Sequence, residues 1–404
     1  MKWKTVKLSD VAQAIRGVTF SSGEAEPQPF YRSIACLTTS GVQEEVNWPS
    51  RRFIPLDRVK QEKQKLKYGD ILVSTANSKE LVGKSSFVDS LPFSSTFGAF
   101  VTVVRPNQNV VPYYLAKWMK TAEFLNSCYV ACSNTTNISN LRVSELMAFE
   151  MPLPPLPEQQ RIAGILARAD RLRQLRRYAL QLSDGYLQSV FLQMFGDPVT
   201  NPMGWEIRPL GKLLTTIDSG VSPVCQDRPA LDNEWGILKL GAVTTCDYLQ
   251  TENKAITSKT SPRTELEVKS GDLLFSRKNT YDLVGACAYV HHTRPKLMLP
   301  DLIFRLQIED KKELAPIYLW QLLIFPTKRK MVQRLAGGSA GSMPNISKGR
   351  LNTVEIPLPP PELQSKFVCA VRQFERLRAQ QREAARQAEN LFSTLLHRAF
   401  RGEL

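Results

Sequence analysis

Residues Glu158 to Phe195 read EQQRIAGILARADRLRQLRRYALQLSDGYLQSVFLQMF, and how this stretch folds decides the reading of everything around it. Apolar side chains recur at Ile162, Ile165, Ala169, Leu172, Leu175, Ala179, Leu182, Tyr186 and Val190, a three-and-four alternation that predicts one apolar stripe along a helix of about ten turns. Arginines occupy the other faces. A helix this long gains its stability by burying its stripe against something else. The far end of the chain supplies a partner: between Leu363 and Phe400 a second helical run carries Phe367, Val371, Phe374, Leu377, Ala384, Ala388, Leu391 and Leu395 at similar spacing. The two runs are expected to form an antiparallel coiled coil, the long segment between them carrying the chain back to the start of the first helix.

With 404 residues, 43% of them hydrophobic, the chain can build two or three cores, and 26 prolines imply many punctuated junctions between them. No apolar run approaches the roughly 20 residues of a membrane-spanning helix, and MKWKTVKLSD lacks the apolar stretch of a secretion signal, so a cytoplasmic location is expected. The seven cysteines are odd in number and scattered, which argues against a disulfide framework or a zinc site. A formal charge of +15, with a pI near 9.5, attracts polyanions, and for a chain of this kind the common polyanion is nucleic acid.

Taken in order, the chain repeats itself. Trp3 and Leu8 return as Trp205 and Leu210; the run Lys67 to Ser74 (KYGDILVS) returns as Lys269 to Ser276 (KSGDLLFS); Leu81-Val82-Gly83 returns as Leu283-Val284-Gly285. The offset holds, since 205 − 3, 271 − 69 and 283 − 81 all give 202. Further on, Asn137-Ile138-Ser139 matches Asn345-Ile346-Ser347, and Met151-Pro-Leu-Pro-Pro155 matches Ile356-Pro-Leu-Pro-Pro360, each immediately before a long helix. The order is therefore globule, helix, globule, helix. We place the first globule at residues 1–155, its helix at 156–197, the second globule at 198–359 and its helix at 360–404.

Within each globule the short β-branched or aromatic runs at Asp70 to Thr75, Ala99 to Val104, Asp272 to Ser276 and Leu302 to Ile308 predict strands. Val111 to Ser127 and Ala315 to Leu335 predict helices that open near a proline. The fold class is thus α+β, two tandem mixed globules separated by two long helices. The Pro-Leu-Pro-Pro stretches are stiff connectors, because proline lacks a donor and disfavours a helical residue before it. The frame repeats whereas the polar stretches after it do not. Asn, Ser, Thr, Lys and Arg in such loops carry the groups that hold phosphates and read base edges. On that ground the candidate DNA-contacting residues are Ser74, Asn77, Ser78 and Lys79 with Ser133, Asn134, Thr135 and Thr136 in the first globule. In the second they are Arg277, Lys278, Asn279 and Tyr281 with Ser339 and Ser342, where Gly337, Gly338 and Gly341 allow close backbone approach.

Repeated globules that each end in Pro-Leu-Pro-Pro, followed by Pro157-Glu-Gln-Gln-Arg-Ile162 and a long helix, resemble the specificity (S) subunits of type I restriction-modification enzymes. The Gly-Asp-Ile-Leu strand, the Asn-Ile-Ser before the connector and the closing Ala399-Phe-Arg-Gly-Glu-Leu404 carry the same resemblance, which spans essentially the whole chain. The second connector departs from the pattern, with Pro361-Glu-Leu-Gln-Ser-Lys366. The resemblance implies two target-recognition domains, each reading half of a bipartite double-stranded DNA sequence. It further implies helices that space the halves and dock two methyltransferase (M) subunits, which bind S-adenosylmethionine, and restriction subunits that can join that core. A helix of about 35 residues spans roughly 50 Å, or on the order of 15 base steps at about 3.4 Å each.

No cofactor is expected on this chain itself. It contains neither a glycine-rich cofactor loop nor an Asn/Asp-Pro-Pro-Tyr/Phe motif for a flipped base, and no Walker A sequence. The alternative to a non-catalytic recognition subunit is a stand-alone Mg²⁺-dependent nuclease or DNA-modifying enzyme built on Asp301, Glu309 and Lys311, which loosely fit a Pro-Asp, Glu-x-Lys pattern.

Overall fold

Ile71–Ser74 is the strand around which the first globule is laid down: four apolar or small residues in succession, all buried. Such an uninterrupted run suits a strand covered on both faces. It lies in a four-stranded antiparallel sheet in the order Ala12–Arg16, Val101–Pro106, Ile71–Ser74, Ser85–Phe87. Ile71 and Val73 pack with Tyr114, Leu115 and Phe124 of two helices, whereas Leu72 packs with Leu37, Phe97 and Val103 on the other side. The layer on that side is a three-stranded sheet of Arg52–Pro55, Ser33–Leu37 and Ser95–Phe97. The computed structural model describes residues 3–134, 139–257, 261–337 and 343–404.

The second globule repeats this plan in the same register. Its four-stranded sheet runs Leu214–Ser219, Ile303–Ile308, Leu273–Ser276, Cys287–Tyr289, and its three-stranded sheet Asn253–Ala255, Gly236–Leu238, Leu297–Met298. Leu72 faces Val103, and Leu274 faces Arg305, so adding 202 to both members of the first pair gives the second. In each globule the first strand and the strand leading into the connector pair antiparallel, Thr5–Lys7 with Glu150–Pro152 and Glu206–Pro209 with Glu355–Leu358.

Each long helix is tied to its globule by a glutamine near its start. Gln159 accepts from the amide of Val111 at 2.8 Å and donates to the carbonyl of Pro154 at 2.8 Å. Gln364 does the same with Ala315 and Pro359, both at 2.9 Å, so the departing second connector keeps the residue that ties its helix to the globule. The buried tyrosines Tyr114 and Tyr318 donate to Pro152 and Pro357, each at 2.9 Å.

The chain divides into two compact units, residues 1–177 with 383–404, and residues 178–382. The first unit therefore takes the early part of the central helix and the last part of the C-terminal one. There Arg161 donates to the Leu404 carbonyl at 2.7 Å and Arg173 pairs with Glu389 at 3.0 Å, which sets the two segments antiparallel. In the second unit the ring of Tyr186 stacks on Phe374 at 5.4 Å and that of Phe195 meets Phe367 at 5.2 Å, again antiparallel.

Three expectations need correction. The central helix runs Leu156–Asp184 and then Tyr186–Phe195, interrupted at Gly185, a residue that disfavours helix interiors. Val111 to Ser127 and Ala315 to Leu335 are each two helices, Pro112–Trp118 with Ala122–Ala131 and Pro316–Ile324 with Pro326–Gln333. Thr121 caps the second of these, accepting from the Phe124 amide at 3.3 Å, and Pro326 has no amide to continue a helix. The expected apolar stripe is buried at Ile162 and Ala169, but Leu172, Leu175, Leu182 and Tyr186 are open, Leu182 at 62%. The face that packs is instead Gln159, Ile162, Leu166, Asp170 and Arg173 in one unit and Leu187, Phe191 and Phe195 in the other. Among the described residues no helix is long and apolar enough to cross a membrane.

Candidate functional site

The strand Ile71–Ser74 ends beneath a small ribbon that joins two loops far apart in sequence. Ala76–Asn77 pairs antiparallel with Ser139–Asn140, which pairs in turn with Ser133–Asn134. Backbone bonds fasten it to the frame: Thr75 donates to the Phe100 carbonyl at 3.0 Å, and Leu141 donates to the Thr75 carbonyl at 2.9 Å. The loop after the Gly-Asp strand and the polar stretch before the connector thus lie side by side.

Its side chains divide into inner and outer groups. Ser74 is buried, 1% exposed, and its hydroxyl accepts from the Asn77 amide nitrogen at 3.2 Å, so it braces the loop and is not presented to a ligand. Asn77 also takes the Ser78 amide at 2.9 Å. The Lys79 ammonium sits 4.2 Å from the Tyr129 ring centroid, a cation–π contact that holds it over an exposed aromatic. Ser133 is exposed and donates to the Asn140 carbonyl at 3.3 Å. Asn134 contributes backbone to the ribbon; Thr135 and Thr136 lie outside the described residues.

The second globule assembles the same site from other side chains. Arg277 donates its amide to the Leu302 carbonyl at 3.1 Å, and Ile346 donates to the Arg277 carbonyl at 2.8 Å, reproducing the two bonds made around Thr75. Lys278 and Gly337 bridge to Asn345. The Arg277 guanidinium is held twice, by Nε donating to Asn345 Oδ1 at 3.1 Å and by the Phe304 ring 5.1 Å beneath it. That fixes a planar donor fork at the loop, the geometry that pairs with guanine or with phosphate. Asn279 is 6% exposed and takes the Thr280 amide at 2.8 Å, so like Ser74 it shapes the loop from within. Tyr281 is open. Ser339 and Ser342, with Gly338 and Gly341, lie outside the described residues.

The sequence reading missed what flanks these loops. Phe100, whose carbonyl takes the Thr75 amide, is itself 61% exposed. Its counterpart at the 202 offset is Leu302, preceded by Asp301, which accepts from the Ser222 hydroxyl. The repeat register held the signal that could have found both positions. The nuclease alternative comes apart here. Asp301 precedes the strand Ile303–Ile308 and Glu309 and Lys311 follow it, so six strand residues, roughly 20 Å at about 3.3 Å each, separate them. Among the described residues no group of three or more His, Cys, Asp or Glu could hold a metal ion. His291 is packed beside Tyr289 and Trp320, and burial pushes it down to about 4.

Comparison with known proteins agrees with this geometry. Residues 1–181 match the family model described as the type I restriction modification DNA specificity domain. The whole chain aligns at 26% identity with 89% of the type I restriction enzyme EcoKI specificity subunit of Escherichia coli K12, and at 25% with 89% of the StySPI specificity subunit of Salmonella potsdam. The fold is that of the S subunit from M. genitalium, with a TM-score of 0.59 over 98% of this chain and 96% of that one at 13% identity. Tandem globules in one register, paired polar loops on a common frame and full-length alignment together make this chain similar along its whole length to type I restriction-modification specificity subunits.

Proposed function

We propose that this chain is a non-catalytic specificity subunit whose two globules each read one half of a bipartite, asymmetric site in double-stranded DNA, through the ribbon of Ala76–Asn77, Ser133–Asn134 and Ser139–Asn140 with the adjoining Ser78 and Lys79, and through its counterpart at Arg277–Tyr281, Gly337 and Asn345. The observation that carries the reading is the sameness of the frame against the difference of the loops. Two backbone bonds recur at Thr75 and Arg277, yet one loop offers Asn77, Ser78 and Lys79 and the other Arg277, Lys278 and Tyr281. Equal frames with unequal donors and acceptors suit two unlike half-sites. The charge of +15 supplies sequence-independent attraction to phosphates, and the loops supply the choice of base.

The open apolar residues of the central helix support a second part of the proposal. Leu172 and Leu175 in one unit and Leu182 in the other are open on this chain. We assign them to contact with two methyltransferase subunits, which bind S-adenosylmethionine and methylate the site this chain selects; restriction subunits join that core. The complex acts in the cytoplasm, where the chromosome lies. The helices set the gap between half-sites, so deleting one or two turns from both is expected to shorten the spacer. The decisive experiment is co-expression with the cognate methyltransferase and genome-wide mapping of methylated positions. A bipartite motif with a fixed gap, dependent on this chain, is the expected result; methylation that is the same without the chain would end the proposal.

A further inference from the structure

Beside the second reading loop lies an open cavity of about 340 Å³, lined among others by Ser222, Pro223, Lys239, Lys254, Asp301 and Leu302. Leu302 is the residue whose carbonyl takes the Arg277 amide, so this cavity begins where the reading loop is fastened. Asp301 accepts from the Ser222 hydroxyl on Oδ1, and its Oδ2 takes no hydrogen bond from the described residues. Lys239 and Lys254 are each paired with their own carboxylates, Glu252 and Asp227, at 2.9 Å and so do not neutralise it.

A carboxylate at this place has a cost unless it has a purpose. Facing DNA, it is repelled by phosphates, and only one class of partner in the major groove offsets that repulsion. Cytosine N4 and adenine N6 are the exocyclic amino donors there, whereas guanine O6 and thymine O4 are acceptors that a carboxylate rejects. Repulsion of the wrong base is as useful for choice as attraction of the right one. The first globule supplies the contrast: the equivalent position at the 202 offset is Ala99, followed by the open Phe100, on the same backbone bond to the loop. One frame position therefore carries a carboxylate in one globule and an apolar surface in the other.

We infer that Asp301, positioned by Ser222, is a specificity-determining residue of the second globule that accepts a hydrogen bond from the exocyclic amino group of a cytosine or adenine in its half-site. This rests on the DNA-reading function proposed above. The test uses the complex with its methyltransferase subunits and maps methylated motifs for wild type, Asp301→Ala and Asp301→Asn. In Asp301→Ala, one base pair of one half-site is expected to lose roughly 10-fold of its discrimination, while the other half-site keeps every preference. Asp301→Asn retains the shape and the Ser222 partner but adds a donor, so it should admit a base with an acceptor at that same position; it decides the matter if the alanine variant fails to fold. The base lost in Asp301→Ala tells cytosine from adenine. Unchanged motifs in the isosteric variant overturn the inference while leaving the function standing. A wild-type motif that does not depend on this chain overturns the function itself.

Discussion

The two units join globule to helices with the same positions and different charges. In the first, Asp170 of the central helix is enclosed by Lys117, by Arg173 at 2.6 Å and by the Tyr113 hydroxyl at 3.0 Å. Arg173 in turn reaches Glu44 and Glu389, and its guanidinium lies 4.0 Å over the Phe392 ring. In the second unit the counterparts are Glu375 and Arg378, since 375 − 170 and 378 − 173 both give 205, and Arg378 and Arg382 bind Asp247 as Arg173 and Arg177 bind Glu44. What is missing is the lysine: Gln321 stands where Lys117 would be. A half-buried carboxylate with one cation fewer is a poorer arrangement, so the two junctions should respond differently to mutation. The largest effect is expected from Lys117→Ala, which strips the buried Asp170 of one partner and should cost about 3 kcal/mol, the low end for breaking a buried pair because Arg173 remains. Gln321→Ala should cost much less. Denaturant midpoints of the two variants test the contrast; equal losses would mean the lysine is not what distinguishes the junctions.

The loops proposed to read DNA extend the comparison to binding. Arg277 is braced by Asn345 and Phe304, and Arg277→Ala is expected to lose about 1–3 kcal/mol of specific affinity and relax one position of its half-site. Lys79 in the first globule is held over the Tyr129 ring, and its removal should weaken binding evenly across sequences and lower the salt slope by about 1. Titrations of cognate and mismatched duplexes at two salt concentrations separate these outcomes. Beneath each loop a glycine at positive φ closes the turn, Gly83 at 85° and Gly285 at 75°. Alanine at either should cost about 1–2 kcal/mol for the backbone alone. The cost at Gly83 should be the greater, because an added Cβ meets Cys128 Sγ at 2.6 Å, against 3.2 Å to Val332 at Gly285. Thermal unfolding of Gly83→Ala and Gly285→Ala ranks them.

Much of this architecture was legible because repetition preserves register. The 202 offset predicts which strands pair, and Gln364 shows why a connector can depart from its motif without losing its role: only the glutamine that ties Ala315 and Pro359 had to stay. The loops were legible as a pair for the same reason. What could not be read was direction. Leu172, Leu175 and Leu182 have the spacing of a buried stripe and are open, since the globule and the opposing helix together choose which face of the helix to cover. Periodicity reports that a helix has an apolar face; it does not report which partner is bound there. Asn279 and Ser74 were polar residues in a polar loop, and only the bonds to Thr280 and Asn77 show that they face inward.

The smallest effect is the most pointed, because its sign differs between the junctions. Burial raises the Glu375 carboxyl above its ordinary value, and the Arg378 guanidinium paired with it at 3.7 Å only partly offsets this. Burial acts on Asp170 too, but Lys117 and Arg173 outweigh it and hold that carboxyl below its ordinary value. A group whose folded pKa is raised binds its proton more readily in the folded state, so Glu375 favours folding below its unfolded pKa and withdraws that favour as pH climbs through the folded one. Glu375→Gln should therefore stabilise the protein slightly at neutral pH, with the gain shrinking as the solution is acidified through the carboxylate range. Asp170→Asn should do the reverse, destabilising at neutral pH with a loss that fades only in acid, as the wild-type carboxyl itself becomes protonated. Unfolding free energies of the two variants between acid and neutral pH give two curves of opposite sign. Curves of the same sign would mean that the glutamine at 321 is compensated elsewhere, and that the second junction is as well paired as the first.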